Sequence, residues 1–178
     1  ARGAHLVFEA IIEDEAIKRR VYSSLRELCS PETFFLSNTS SIPIHLIDET
    51  AGLEGRYIGF HFYNPPPVQK LVEVIASPAT RLELSALAQE LGAALRKKLI
   101  PSRDVAGFIG NGHFTRDGLH AIGEVERLAA EHSFVEAVYM VNRVSQDFLI
   151  RPMGIFQLID YVGIDVFRSI LEVMNRHM

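Results

Sequence analysis

The sequence has little of what marks three large classes of protein. Its single cysteine, Cys29, rules out an intramolecular disulfide framework and suits a reducing compartment, so we expect a cytoplasmic protein. No apolar run approaches the roughly 20 residues that a membrane-spanning helix needs, so no membrane partner is expected. The 18 Lys and Arg residues are outnumbered by 22 Asp and Glu residues, and the net charge of −4 makes nucleic acid a poor partner.

What the sequence does contain is enough apolar material for a core and one change of periodicity. Hydrophobic residues make up 48% of its 178 residues, which is ample for a packed core. Short apolar runs alternate with helical patterns as far as Pro101, whereas from Gly107 onwards only helical patterns persist. The change predicts two domains, an α/β domain over residues 1–103 and an all-α domain over residues 104–178, with a polar linker near the boundary.

Turn and capping residues bound the predicted elements. We predict strands near residues 5–12, 34–36, 56–61, 70–75 and 98–101. We predict helices near residues 13–29, 44–47, 82–95, 108–128, 135–144, 155–161 and 166–174. Capping-box signatures precede two of these helices, at Thr80 to Glu83 and at Ser133 to Glu136, and Asp165 is expected to cap the last helix.

The segment that most suggests chemistry places one histidine and one carboxylate among strand-forming residues. Glu73 stands between two valines, and a buried charge without a partner costs on the order of 3–5 kcal/mol. His61 is the nearest candidate partner, across a turn that Asn64 and three prolines would enforce. Such a pair at the edge of a sheet is a general base with its orienting group. The alternative is a hydrogen-bonded core histidine, the more frequent role in an apolar strand.

A second candidate site is the polar run Ser-Asn-Thr-Ser-Ser at residues 37–41, directly after the strand predicted near residues 34–36. The carboxyl ends of strands are where open α/β sheets bind ligands. This position favours a ligand-contacting role for the run, although a simple turn would have the same composition.

Five ordered blocks of the sequence resemble the L-3-hydroxyacyl-CoA dehydrogenase family. They are Glu9-Ala10 with Glu13, residues 37–41, residues 61–73, residues 107–111 and residues 152–165, with a poorer match from 112 to 150. The resemblance implies a partial Rossmann-like, doubly wound α/β sheet followed by an all-α dimerisation domain. It also implies NAD-dependent oxidation of the 3-hydroxyl of an acyl-CoA to a ketone, as in fatty-acid β-oxidation, or the reverse reduction.

The resemblance assigns roles to individual positions. Catalysis is expected from His61 as general base, Glu73 as its orienting carboxylate, and Ser40 and Asn111 beside the reacting oxygen. The acyl-CoA substrate is expected to contact Ser40, His61, Asn64 and Asn111. NAD is expected to contact Ala10, Glu13, Lys18, Asn38 and Ser40, and no metal ligand is assigned.

Several of these positions also have ordinary structural interpretations. Ser40 fits a turn and Asn111 fits the entry of a helix. Glu13 and Lys18 fit an exposed pair in the first turn of a helix. A homodimer is expected through the helical domain, with a surface that includes Phe156, Leu158, Val162 and Phe167.

One family feature is not found in the sequence. In the family a Gly-rich strand–turn–helix holds the dinucleotide pyrophosphate, and nothing here resembles Gly-x-Gly-x-x-Gly. We therefore expect the chain to be part of a longer protein and, alone, not to bind NAD with normal affinity. Two alternatives stay open: a dehydrogenase of a free hydroxy or sugar acid with the same fold, and a non-catalytic module that dimerises.

Overall fold

The computed structural model describes residues 2–149 and 151–177. These residues form two compact units. One unit ends at Ile109 and also takes in His177, and the other covers Gly110–Arg176.

The first unit is built on a mixed β-sheet of five strands within the described residues. Its strands lie in chain order across the sheet: β1 (Leu6–Glu9), β2 (Phe34–Ser37), β3 (Tyr57–Phe62), β4 (Leu71–Ile75) and β5 (Lys98–Ser102). Strands β1, β2 and β3 are parallel, β4 is antiparallel to β3, and β5 is parallel to β4. The connecting helices are α1 (Glu15–Leu28), α2 (Ile44–Ala51) and α3 (Leu82–Ala94). The predicted α/β class with a Rossmann-like sheet is confirmed.

Helices cover both faces of this sheet, which explains why its central strands are mostly apolar. On one face Phe60 and Val72 pack with Leu84 of α3. On the other face the ring of Tyr22, from α1, meets the rings of Phe35 and Tyr57 edge-on. Successive side chains along a strand project from opposite faces of the sheet, so the sequence neighbours of Phe60 and Val72 project from the second face.

The second unit is helical, as predicted from its periodicity. It contains α4 (Gly110–Leu128), α5 (Phe134–Asp147), α6 (Ile155–Val162) and α7 (Ile164–His177). Gly118 allows close packing, since a Cβ there would lie 2.5 Å from the ring of Phe167. Of the helices in the described ranges, none combines the length and apolar character needed to cross a membrane.

Polar side chains of α5 fix the start of α6. The amide oxygen of Asn142 accepts hydrogen bonds from the backbone N–H groups of Phe156 and Gln157, at 3.1 and 3.2 Å. The hydroxyl of Ser145 accepts a third from the N–H of Ile155, at 2.9 Å. These bonds satisfy the helix-start donors that otherwise have no partner.

The capping predictions have mixed outcomes. The box at Ser133 and Glu136 is confirmed, with both reciprocal bonds present. The box at Thr80 is wrong, because Arg81 occupies the N-cap position of α3 and no side chain caps it. Thr80 instead accepts a hydrogen bond from the N–H of Ser77 at 2.9 Å. Asp165 lies inside the first turn of α7 rather than at its cap.

The division between the units falls after Ile109, whereas the sequence places it after residue 103. Residues 104–109 are held by the first unit. The Asp104 carboxylate accepts hydrogen bonds from the first two N–H groups of α2, at 2.5 and 2.9 Å. The N–H of Ile109 donates to Glu73 at 2.9 Å. Asp104, the last residue of the linker that the sequence predicts, is therefore part of the first unit.

We predict that Asp104→Ala lowers the free energy of unfolding by about 1–2 kcal/mol, the usual loss when a helix N-cap is removed. Chemical denaturation followed by circular dichroism measures this change. Asp147→Ala is the control, because Asp147 forms only an exposed ion pair with Arg143, which contributes about 0.5 kcal/mol or less. Equal stability of the two variants would contradict the capping role of Asp104.

Candidate active site

His61 and Glu73 lie directly opposite each other on the antiparallel strands β3 and β4. Opposed residues in such a pair project from the same face of the sheet. Nδ1 of His61 is 3.5 Å from Oε1 of Glu73, and the two side chains are 9% and 1% exposed. The distance is longer than a direct hydrogen bond, and Nδ1 makes no hydrogen bond within the described part of the chain. The two groups are in ion-pair range without a direct hydrogen bond.

Two further groups donate hydrogen bonds to the Glu73 carboxylate. The Tyr63 hydroxyl donates to Oε1, and the N–H of Ile109 donates to Oε2 at 2.9 Å. Sequence reasoning found neither donor. Tyr63 follows His61 by two positions, the spacing that puts two side chains on one face of an extended chain, so that signal was present. The backbone N–H of Ile109 carries no sequence signal.

Aromatic rings surround the His61 imidazole. The Tyr63 ring lies 5.3 Å from it and the Phe108 ring 6.3 Å, between centroids. Phe108 has a φ of 49°, a left-handed conformation that is uncommon for a bulky residue, and Gly107 before it has a φ of 77°. This tight turn places the Phe108 ring beside His61 and the next N–H on Glu73. The imidazole therefore lies beside two aromatic rings and faces the Glu73 carboxylate.

Glu13 holds the polar run at residues 37–41. Its Oε1 accepts hydrogen bonds from the hydroxyl of Thr39 and the N–H groups of Ser40 and Ser41, each at 2.8 Å. Its other oxygen, Oε2, is 3.5 Å from Nζ of Lys18. The Lys18 side chain is only 1% exposed, so an exposed helix-start pair does not describe these residues.

Glu9, the last residue of β1, accepts a cluster of hydrogen bonds that sequence reasoning did not predict. Its Oε1 accepts from Nζ of Lys18 at 2.8 Å and from the N–H of Ile11 at 2.6 Å. Its Oε2 accepts from the hydroxyls of Tyr22 at 3.0 Å and Ser37 at 2.7 Å. Burial, followed by the nearby Tyr57 and the charge of Glu9, raises the pKa of Tyr22, so this phenol is a permanent donor. The sequence signal that could have indicated this cluster is a charged residue at the end of an apolar strand.

The remaining predicted site residues have different positions. Asn38 accepts a hydrogen bond from the N–H of Phe62 at 2.9 Å, tying the end of β2 to the end of β3 beside His61. Ala10 is exposed just beyond β1, and Asn64 is exposed in the turn after β3. Asn111 belongs to the second unit, in the first turn of α4, where its carbonyl accepts a bond from Thr115 at 2.8 Å.

The fold and these polar groups define a Rossmann-like α/β domain with a helical unit after it. The family model for the NAD-binding domain of 3-hydroxyacyl-CoA dehydrogenase matches residues 1–105. A probable 3-hydroxybutyryl-CoA dehydrogenase of Bacillus subtilis is 36% identical over 179 residues, which cover 98% of this chain and 59% of the relative. The human mitochondrial hydroxyacyl-coenzyme A dehydrogenase is 34% identical over 167 residues, covering 94% of this chain and 51% of the relative.

A solved structure agrees with these relatives. The crystal structure of FadB2 from M. tuberculosis has a TM-score of 0.84 and 34% identity, over 96% of this chain and 58% of that chain. The chain belongs to the 3-hydroxyacyl-CoA dehydrogenase family, as its five sequence blocks predicted. The cofactor named for the matched domain is NAD. The chain spans between half and three-fifths of the length of these relatives.

We predict that Lys18→Met lowers the free energy of unfolding by about 3 kcal/mol, the low end of the range for breaking a buried ion pair. The low end applies because Glu9 keeps three neutral donors. Urea denaturation measures the loss. Arg143→Met, which breaks an ion pair whose side chains are 48% and 45% exposed, is the control and should cost about 0.5 kcal/mol or less. If the two substitutions cost the same, the buried cluster is not the stabilising feature inferred here.

Proposed function

We propose that this chain carries the catalytic base of an NAD-dependent L-3-hydroxyacyl-CoA dehydrogenase, which oxidises the 3-hydroxyl of an acyl-CoA to a ketone or runs the reverse reduction. The observation that carries the proposal is the opposed pair of His61 and Glu73 on β3 and β4 of the family domain. The names of the relatives, which act on hydroxyacyl- or hydroxybutyryl-CoA, favour a CoA thioester over a free hydroxy or sugar acid.

The chemistry asked of His61 is proton acceptance. NAD⁺, when bound, supplies the acceptor for the hydride that leaves C3 of the substrate. The hydroxyl on C3 must then lose its proton, and the neutral imidazole of His61 accepts it through Nε2, because Nδ1 is turned towards Glu73. The negative charge of Glu73, 3.5 Å away, stabilises the imidazolium that forms. Ser40 and Asn111 are proposed to hydrogen-bond the reacting oxygen, and Asn64 to contact the substrate.

The residues at the ends of β1 and β2 fit the ribose end of the cofactor. Glu13 uses Oε1 for the polar run, but its side chain is 25% exposed, which leaves Oε2 able to accept a bond from a ribose hydroxyl. Ala10, Asn38 and Ser40 are proposed to lie against the same part of NAD. Lys18 is proposed to act by holding Glu13 in place, since its ammonium group is buried.

The phosphate end of NAD does not fit the helix start nearest to these residues. Asp14 caps α1, and Glu15 lies in the first turn of α1. Carboxylates at a helix N-terminus repel the phosphates that such a terminus otherwise binds. The proposal therefore assigns the pyrophosphate to the rest of a longer protein, and weak NAD binding to this chain alone.

A homodimer through the helical unit is part of the proposal, but two of the four residues first expected at its surface lie in the core, whereas Val162 is 37% exposed. Phe167 is 5% exposed and packs with Ile155 and Ile159 inside the unit, with Phe156 against them, so these phenylalanines are core residues. The exposed apolar residues of α5 and its C-cap instead support a contact surface. They include Phe134, Val135, Tyr139, Val144 and Phe148.

We predict that the double substitution Val135→Glu and Tyr139→Glu converts the dimer into a monomer, because both exposed residues would place charge in a buried interface. Analytical ultracentrifugation at micromolar concentration measures the change. The control is Val68→Glu in the first unit, where the valine is 69% exposed; this variant should stay dimeric. A native protein that sediments as a monomer would refute the proposed dimer.

We predict that His61→Ala and Glu73→Gln in the longer protein each lower turnover about 10²–10⁴-fold, the usual contribution of a general base. The KM for NAD should stay nearly the same, because the cofactor phosphates are held elsewhere. Steady-state kinetics with a 3-hydroxyacyl-CoA measures both quantities. His132→Ala, at an exposed histidine of the second unit, is the control. Near-normal turnover of His61→Ala would overturn the proposed role of His61.

A further inference from the structure

The Tyr63 hydroxyl and the His61 imidazole share one oxygen of Glu73. Tyr63 donates a hydrogen bond to Oε1, and Nδ1 of His61 faces the same oxygen from 3.5 Å. The other oxygen accepts the N–H of Ile109. The Glu73 carboxylate, with its side chain 1% exposed, therefore accepts hydrogen bonds from Tyr63 and from Ile109, and both of these donors are neutral.

These neutral donors weaken the preference of the Glu73 carboxylate for a positive charge on His61. A buried carboxylate that lacks donors strongly favours a positive charge beside it, and would hold the imidazole protonated. A carboxylate that already accepts hydrogen bonds is stabilised without that charge. Burial, and then the hydrogen bond to Glu73 and its charge, raise the pKa of the Tyr63 phenol. The phenol therefore remains a donor over the whole range in which imidazole titrates.

We propose that Tyr63 is a positioning residue that holds the Glu73 oxygen nearest His61, and so keeps the imidazole neutral at a lower pH than a His–Glu pair alone would. The described groups that face the imidazole are the Glu73 carboxylate from β4, the Tyr63 phenol after β3 and the Phe108 ring from the turn before α4. Of these, Glu73 and Tyr63 titrate. The catalytic consequence rests on the proposed function, whereas the effect on His61 itself does not.

The test is the NMR titration of the His61 ring protons in the chain and in Tyr63→Phe. The His61 signal, one of seven histidines, is assigned by its loss in His61→Gln. We expect the midpoint of the His61 titration to rise by about one pH unit in Tyr63→Phe, because Glu73 loses a neutral donor and favours the imidazolium instead. Tyr63→Leu also lacks the donor and should give the same rise. Tyr161→Phe removes a hydroxyl from a ring that is 71% exposed and should leave the midpoint unchanged.

A second comparison decides whether the effect passes through Glu73. In a Glu73→Gln background the carboxylate charge is gone, so adding Tyr63→Phe should no longer move the His61 midpoint. An unchanged or lowered midpoint in both Tyr63 variants would overturn the proposal, since a lowered one means that Glu73 has taken up a proton instead. The same rise in the Glu73→Gln background would also overturn it.

The pH–rate profile of the longer protein separates this inference from the proposed function. If both hold, the acid limb of turnover moves to higher pH in Tyr63→Phe by the same amount as the NMR midpoint, because only neutral imidazole accepts the proton. If the midpoint moves and the acid limb does not, His61 is not the base, while the role of Tyr63 towards His61 stands. If the midpoint does not move, the role of Tyr63 fails whatever the rate profile does.

Discussion

The fold depends on one constraint: a carboxylate removed from water must accept hydrogen bonds from donors elsewhere in the chain. Glu9 ends β1, Glu13 follows that strand, and Glu73 lies in the middle of β4; each accepts several hydrogen bonds. Glu13 binds N–H groups more than twenty-five positions away, and Glu73 binds one that is 36 positions away. These bonds fix the loops that carry the donor N–H groups. Hydrogen bonds to carboxylates therefore fix these loops, alongside apolar packing.

Glu13 and Glu73 each use one carboxylate oxygen to hold a loop and turn the other elsewhere. Glu13 turns Oε1 inward to the polar run and leaves Oε2 partly open to solvent. Glu73 uses Oε2 to anchor the N–H of Ile109 and turns Oε1 towards Tyr63 and His61. Losing either carboxylate would therefore disturb a loop together with the side chain that the other oxygen faces, which is Lys18 for Glu13 and His61 for Glu73. For this reason stability and activity need separate measurements at these positions.

Much of the fold was predictable because it rests on local patterns. Apolar periodicity predicted the strands and helices, and the cost of an unpaired charge at Glu73 predicted that His61 would face it. The hydrogen bond from Ile109 to Glu73 and the hydrogen bonds from hydroxyls to Glu9 were not predictable in the same way. Neither a backbone N–H nor a hydroxyl that is distant in sequence has a signature in the sequence. The capping box at Thr80 failed because Ser77 offered that hydroxyl a nearer donor. Ser102 to Asp104 look like a linker because their side chains are polar or charged, although Ser102 ends β5 and the Asp104 carboxylate caps α2.

A general base beside a buried carboxylate faces two opposing demands. The base must be neutral before the reaction, yet the carboxylate that stabilises its charged form also favours that form beforehand. Neutral donors on the carboxylate reduce the second effect while leaving its charge in place for the moment of proton transfer. The Tyr63 hydroxyl and the Ile109 N–H are neutral donors of this kind on Glu73, one from a side chain and one from the backbone. The backbone donor is fixed by the fold, so the side-chain donor is where a substitution can adjust the balance between the two forms of the imidazole.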